Sequence, residues 1–414
     1  MSSETSVPGI ITGNRPRYDA EVIRAPISEQ MLRIASVVAH LQGYFTRAQE
    51  LRESRRDELS DFAAGDPQEM ASDDYVEALR RWSVPENPYW FQYRMSEPSA
   101  LEVVAQSLRE YLGIPFETED ITMTNAAIAA LAVTFRTICE PGDEVVIIQP
   151  PHFLYEPLLM TAGANAVRVP VAPDTFDLDV DAVAAALTPN TRAIVVNTPH
   201  NPTGRIFPPD QLERLATVLA DASERHQPIY LISDEAYNRI VFDDREFHSP
   251  AAFYPRTLLV YSYGKVLLAP GERIGYIAMP PTNPDREQLR IGLLVSQLTA
   301  GWAFPNVVLQ YALGDLEKAT LNMKHLQEKR DRMVEALSEM GYELHVPEAT
   351  FYLLPKSPVP DDVAFCESLI EERILAMPGR MLESPGRFRL SLTASDEMID
   401  RALPGFQRAI DRVH

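Results

Sequence analysis

Only two cysteines occur in the 414 residues, Cys139 and Cys366. Neither belongs to a spacing that suggests a metal site or a disulfide framework. A cysteine-stapled scaffold and a Cys-based metal centre are therefore excluded. Both read as buried reduced thiols in apolar helical contexts, which fits a reducing compartment. Positive charge is short as well: 38 Lys and Arg stand against 59 Asp and Glu, a formal net charge of −21. That excludes nucleic acid or an anionic membrane as the main partner, because both need clustered cations. Small substrates stay open, since an acidic shell can surround a locally basic pocket. No run reaches the roughly 18 uninterrupted apolar residues of a membrane span. The nearest, 121–139, is broken by Asn125, Arg136 and several threonines. Residues 1–15 are polar and lack the apolar centre of a signal peptide. A cytoplasmic protein is expected. Internal repeats and low-complexity blocks are also missing.

What is present is ordinary for a globular protein, 45% hydrophobic and 23% charged, in a chain long enough for a large core and two or three domains. Residues 27–56 show helical spacing of Leu32, Ile34, Val37, Val38 and Leu41. From about residue 100 the pattern alternates. Helices are expected over 100–112, 126–138, 179–186, 209–223 and 284–298. Short apolar runs over 144–149, 193–197, 229–233, 257–261 and 274–279 read as strands. Such alternation predicts an α/β layer fold with a mostly parallel sheet, whose ligands bind at the carboxyl ends of the strands. After residue 305 a long charged helical stretch runs to about 340. Strands at 342–346, 350–354 and 387–392 and a helix at 360–372 then suggest a smaller α+β domain. The expected organisation is a flexible lead (1–20), an N-terminal segment packing with the small domain (21–98), a large domain (99–305) and a small one (306–414).

Polar clusters follow several of these strands. The first contains Ser262-Tyr263-Gly264-Lys265, then Ala269-Pro270-Gly271-Glu272-Arg273-Ile274-Gly275-Tyr276. On composition alone Lys265 is a surface lysine beside a turn. A lysine in apolar surroundings, however, tends to lose its charge and become a nucleophile, and Ser262 and Arg273 are groups that grip a phosphate. The second is Asn197-Thr198-Pro199-His200-Asn201-Pro202-Thr203-Gly204. The third is Asp234-Glu235-Ala236-Tyr237. The fourth is Asn125-Ala126-Ala127-Ile128 at a helix start, where free backbone amides form an anion site. The fifth is Gln149-Pro150-Pro151-His152-Phe153. Near the C-terminus stands Arg387-Phe388-Arg389-Leu390-Ser391, and upstream Gly65-Asp66-Pro67.

In this order, over roughly residues 60–400, the clusters resemble the pyridoxal 5′-phosphate (PLP) dependent class I/II aminotransferases of fold type I. The resemblance implies a large domain with a seven-stranded, mostly parallel sheet flanked by helices, plus the smaller α+β domain. It also implies transfer of an amino group from an L-amino acid to a 2-oxo acid in a homodimer. Lys265 would hold PLP as a Schiff base and carry protons. Asp234 would pair with the pyridine nitrogen, and Asn201 and Tyr237 with the phenolic oxygen. Ser262, Arg273 and the amides of Ala126, Ala127 and Ile128 would bind the phosphate. His152, or else Phe153, would stack on the ring. Tyr93, or else Tyr89, would reach the neighbouring subunit's phosphate. Arg389, with Arg387 as rival, would clamp the substrate carboxylate beside Asn201, and the Gly65 backbone would close over it. No metal is implied. Gly264 and Ala126-Ala127-Ile128 depart from the usual pattern, which leaves a lyase, a decarboxylase or an oxygen-using oxidase as the alternative. A PLP-sensing regulator is disfavoured by the acidic chain and the roughly 60 residues before Gly65. Trp302, Phe304, Trp90 and Phe91 read as core, or as an aromatic pocket.

Overall fold

The computed structural model describes residues 26–319 and 321–413; the expected lead at 1–20 lies outside them. In chain order the helices are α1 (Glu29–Arg55), α2 (Asp73–Trp82), α3 (Pro98–Leu112), α4 (Ala126–Ile138), α5 (Tyr155–Ala162), α6 (Val180–Ala186), α7 (Pro209–Arg225), α8 (Tyr263–Val266), α9 (Arg286–Thr299), α10 (Val307–Leu316), α11 (Met323–Glu339), α12 (Asp362–Glu371) and α13 (Asp396–Asp411). The strands are β1 (Ser60–Asp61), β2 (Ile121–Thr124), β3 (Glu144–Gln149), β4 (Asn165–Pro170), β5 (Thr191–Asn197), β6 (Tyr230–Asp234), β7 (Thr257–Ser262), β8 (Gly275–Ala278), β9 (Tyr352–Leu353), β10 (Ile374–Leu375), β11 (Met377–Pro378) and β12 (Phe388–Ser391).

Seven strands form one sheet in the order β2-β8-β7-β6-β5-β3-β4. The pairs from β7 through β4 are parallel, and β8 runs against both its neighbours. β6 and β7 are buried along their whole length, and β5 at every residue but Arg192. That explains their near-continuous Val, Ile and Leu runs, because a sheet covered on both faces needs apolar side chains on both. Apolar clusters lie on the two faces: Leu131, Phe135, Ile147 and Leu293 on one, Ile148, Val196, Leu215 and Leu219 on the other. Each fully buried side chain of this size contributes about 1.5–3 kcal/mol.

This order brings several strand ends to one edge. Gln149, Asn197, Asp234 and Ser262 end parallel strands there, Thr124 ends β2, and Gly275 starts the reversed β8. The register pairs Asn197 with Asp234, Ser262 with Gly275, and Gly275 with Thr124. Every polar cluster read from the middle of the sequence follows one of these ends.

A second body holds the antiparallel sheet β11-β12-β9 and the parallel pair β1-β10, around Phe62, Tyr342, Phe365, Phe388 and Phe406. Two connections bring it to the edge of the large sheet. The N–H groups of Glu348 and Ala349 both donate to Gly204 O at 3.0 Å, and Thr350 N donates to Ile240 O at 2.9 Å. On the other side Phe62 N donates to Leu375 O and Ser391 N to Phe62 O, each at 2.8 Å. The chain leading to Gly65 is thereby laid beside β12.

Several expectations need correction. Residues 342–346 form no strand; Tyr342 N closes a turn onto Leu337 O instead. The stretch after 305 is two helices, α10 and α11. α10 packs Leu309, Ala312 and Leu313 against Tyr75 and Ala78 of α2 and against β2, β7 and β8. Cys139 is half-buried just past the end of α4, whereas Cys366 is buried in α12, and both are free. Trp90 is core, stacked on Tyr311 at 4.2 Å, whereas Phe91, Trp302 and Phe304 are exposed. No helix among the described residues is long and apolar enough to cross a membrane.

Candidate active site

Lys265 lies in the single turn of α8, directly after β7. Its Nζ stands 5.8 Å from the ring centre of Tyr237 and 6.0 Å from that of Phe351. It makes no hydrogen bond or ion pair with a described residue. A lysine beside two aromatic faces and ion-paired to no described carboxylate is in the setting a nucleophilic amine requires.

Asp234 ends β6 as a buried carboxylate. Tyr155 donates its hydroxyl to Oδ2 at 2.6 Å, and Ala236 N approaches Oδ1 at 3.4 Å. Burial pushes this carboxyl above its usual range, and the two hydrogen bonds and the Lys265 charge oppose the shift. A buried acid needing a cationic partner is what a protonated ring nitrogen would satisfy.

Asn201 is fixed by its own N–H, which donates to Asn197 Oδ1 at 2.8 Å. Its side-chain oxygen accepts from Arg389 Nη1 at 3.2 Å, and Arg389 Nη2 donates to Ala63 O at 3.0 Å. Arg389 Nε is buried and has no partner among the described residues. The guanidinium carries no carboxylate partner there, so it retains both charge and a free donor for an acidic ligand. Arg387 diverges from it: that guanidinium covers Phe176 at 4.8 Å and donates to Leu354 O. Of the two arginines, only Arg389 stands with Asn201.

The residues expected around a phosphate meet through strand register. Gly275 lies between Ser262 and Thr124. A Cβ on Gly275 would come within 2.2 Å of Tyr261 O and 2.9 Å of Ala126 Cα. Only glycine lets α4 begin this close to β7. No side chain caps the first turn of α4, so its amides, including those of Ala127 and Ile128, are free for an anion. Ala126 is held at φ 65°, where glycine is favoured. Arg273 makes no ion pair with a described residue and donates to Pro270 O at 2.6 Å. Partial burial holds its pKa below the usual arginine range. The free helix amides, an uncommitted arginine and the Ser262 hydroxyl, which caps no helix, fit a phosphate.

His152 feels the charge of Lys265. Burial, then the Lys265 and Arg389 charges, push its pKa down to about 3. Leu154 N points at Nδ1 from 3.3 Å, which places the proton of the neutral ring on Nε2. Phe153 stacks on the His152 ring at 4.5 Å and turns toward Phe45 of α1. Gly65 touches Tyr352: a Cβ there would lie 2.4 Å from its hydroxyl. Tyr93 is not brought to Lys265. It is 83% exposed and rests on Phe304 at 4.8 Å, and Tyr89 is exposed too.

Sequence reasoning missed Tyr155, Tyr352 and Glu235. Glu235 is fully buried, and its carboxylate accepts from Ser233, Ser249 and Asn238 at 2.8, 2.5 and 3.1 Å. Burial raises it to about 7 from an ordinary 4.5; the three hydrogen bonds oppose this and Asp234 adds to it.

The pattern of the family described as "Aminotransferase class I and II" matches residues 57–406. Aspartate/prephenate aminotransferase of Thermus thermophilus is 30% identical over 378 residues, 88% of this chain and 94% of that protein. Among solved structures, an amino transferase from Eubacterium rectale superposes with a TM-score of 0.88 at 27% identity, covering 94% of this chain and all of the other. The aspartate aminotransferase of Thermotoga maritima gives 0.81 at 26% identity, covering 93% and all of it.

Glu235 generates a pH prediction. Its folded pKa is raised, so the native state holds more protons than the unfolded chain between about pH 4.5 and 7. Stability then falls as pH rises through that window, by about 3 kcal/mol in total. Glu235→Gln should flatten that slope in urea titrations at pH 5, 6 and 7. Equal slopes in both proteins would refute the assignment.

Proposed function

The chain belongs to the class I and II aminotransferases, a PLP-dependent family, and from that premise we propose that it holds PLP at the edge of the large sheet with Lys265 as the amine that bonds it. The observation that carries the reading is the convergence of an unpaired lysine, a buried Asp234 and an uncommitted anion cradle at one edge of one sheet. Its substrates are an amino acid and a 2-oxo acid.

PLP, when bound, supplies an aldehyde carbon for amines and a ring that accepts the electrons released at the substrate's α-carbon. The chain does the rest. Ser262, Arg273 and the first amides of α4 hold the phosphate. Asp234, positioned by Tyr155, keeps a proton on the ring nitrogen. Asn201 and Tyr237 would donate to the phenolic oxygen, Tyr237 with the one hydroxyl proton that otherwise goes to Tyr352. His152 covers the ring as a flat neutral group, so it adds no charge beside Lys265. Arg389 binds the α-carboxylate, with the Gly65 backbone beside it. The Lys265 amine would take the substrate's α-proton and return it.

The same reading includes a homodimer. α9 presents Ile291, Leu294, Val295 and Leu298 to solvent, an i, i+3, i+4, i+7 stripe that a water-facing helix surface does not need. Exposed Trp302, Phe304 and Tyr93 lie beyond its end. Asn125, just before α4, donates to Trp302 O at 2.8 Å, so a partner covering this patch would lie next to the phosphate cradle and could be reached by Tyr93. Two further assignments belong here: a cytoplasmic setting, supported by the two free cysteines, and a large and a small domain, whose boundary, expected at 305/306, we place instead after α10 because α10 packs on α2.

Lys265→Ala should lower turnover by about a thousandfold or more; a variant within tenfold of the parent would overturn the lysine's role. Val295→Glu should sediment as a monomer, and an unchanged dimer would move the interface elsewhere.

A further inference from the structure

Tyr352 lies at the centre of this cluster, yet none of the family motifs quoted above contains it. It belongs to β9, paired with Ser391 of β12, and a local turn fixes its backbone, with Thr350 at φ 67° and Tyr352 N donating to Thr350 Oγ1 at 3.2 Å. The ring is fully buried. One face supports Arg389, whose guanidinium carbon lies 4.1 Å from the ring centre. The hydroxyl accepts from Tyr237 at 3.5 Å and fills the space a side chain on Gly65 would need. The two tyrosine rings meet edge to face at 5.9 Å.

The geometry points to Tyr352 as a positioning residue that couples the substrate-carboxylate clamp Arg389 to the phenol of Tyr237. The ring holds the guanidinium in place from below, where Asn201 and Ala63 hold it only at its edges. The hydroxyl links the same ring to Tyr237, so occupation of Arg389 is felt at Tyr237 through one shared side chain. This inference rests on Arg389 being the carboxylate clamp.

The surrounding charges agree with the contacts. Burial pushes the Tyr352 phenol up, but the Arg389 and Lys265 charges and the Tyr237 hydrogen bond outweigh it, against a small opposing effect of Asp66, and hold it below its usual range. Burial and its contact with Tyr352 push Tyr237 well up. Of the pair, Tyr352 is the one that lies against both cations. A carboxylate bound to Arg389 would neutralise the cation that makes it acidic. Occupation of the clamp would then raise the proton affinity of Tyr352 and change what Tyr237 can donate to.

Two separable roles require two variants. Tyr352→Phe keeps the aromatic face and removes the hydroxyl; Tyr352→Leu removes both. Propionate, a carboxylate without an amine, serves as a competitive probe of the clamp. Its inhibition constant should rise about tenfold or more in Tyr352→Leu and stay within about twofold in Tyr352→Phe. A parallel tyrosinate absorbance titration of the full chain, freed of cofactor, should lose its lowest-pH step in Tyr352→Phe. Arg389→Ala identifies which reading fails. If it weakens propionate and Tyr352→Leu does not, the positioning role is wrong and the clamp stands. If Arg389→Ala leaves propionate unchanged, the clamp reading fails and the Tyr352 role with it. An equal loss in the Phe and Leu variants, or an unaltered first step in the Phe titration, would also overturn the proposal. Should the Leu variant not fold, the titration of the Phe variant decides.

Discussion

The buried guanidinium of Arg389 is the constraint on which the rest of the arrangement depends. Burying a charge without a counter-charge is costly, so its donors must be met by well-placed acceptors. Here they come from distant parts of the chain: Ala63 O from the N-terminal segment, Asn201 from the loop after β5, and the ring of Tyr352 from β9. Satisfying one cation therefore draws the smaller body, the N-terminal segment and the large sheet to a common point. That point is the sheet edge where Lys265 and Asp234 emerge. The cost is only partly offset, because Nε has no partner among the described residues. A substrate carboxylate would supply what is missing.

The titratable groups near this point are sorted by their surroundings. His152 is kept neutral by burial and by the Lys265 and Arg389 charges. Asp234 is pushed above its usual range by burial, opposed by its two hydrogen bonds and by the Lys265 charge. Glu235, one residue on, points the other way, into a closed set of Ser233, Ser249 and Asn238, and serves the fold at a cost that grows with pH. Adjacent acids thus divide between a ligand and the scaffold because successive side chains of a strand end point to opposite faces.

Much of this was legible in the sequence where signals are local. β3, β5, β6 and β7 are short apolar runs stopped by polar clusters, and the motifs lie directly at their ends. β2 was not legible because its apolar residues run almost directly into those of α4, giving one long apolar stretch. β4 was not because it is an edge strand with only Val169 buried, so it shows no alternation. Residues 342–346 alternate like a strand but find no partner strand, and pattern alone cannot report pairing. In the site, the groups named from the sequence are those that lie in local motifs. Tyr155 and Tyr352 could not be named, since their contacts join residues 79 and 115 positions apart. Arg387 and Arg389 looked equivalent by alternation; the structure separates them, because Phe176 takes one and Tyr352 the other.

Amino-group transfer at this edge, through a cofactor held by Lys265, is tested by the visible absorption of the purified protein during a donor-only half reaction, with single amino acids added and no acceptor. The cofactor's absorption should change with a suitable donor, without release of ammonia or carbon dioxide, and be restored by a 2-oxo acid such as 2-oxoglutarate or pyruvate. A bound cofactor whose spectrum no 2-oxo acid restores, or ammonia released with no acceptor present, would contradict it.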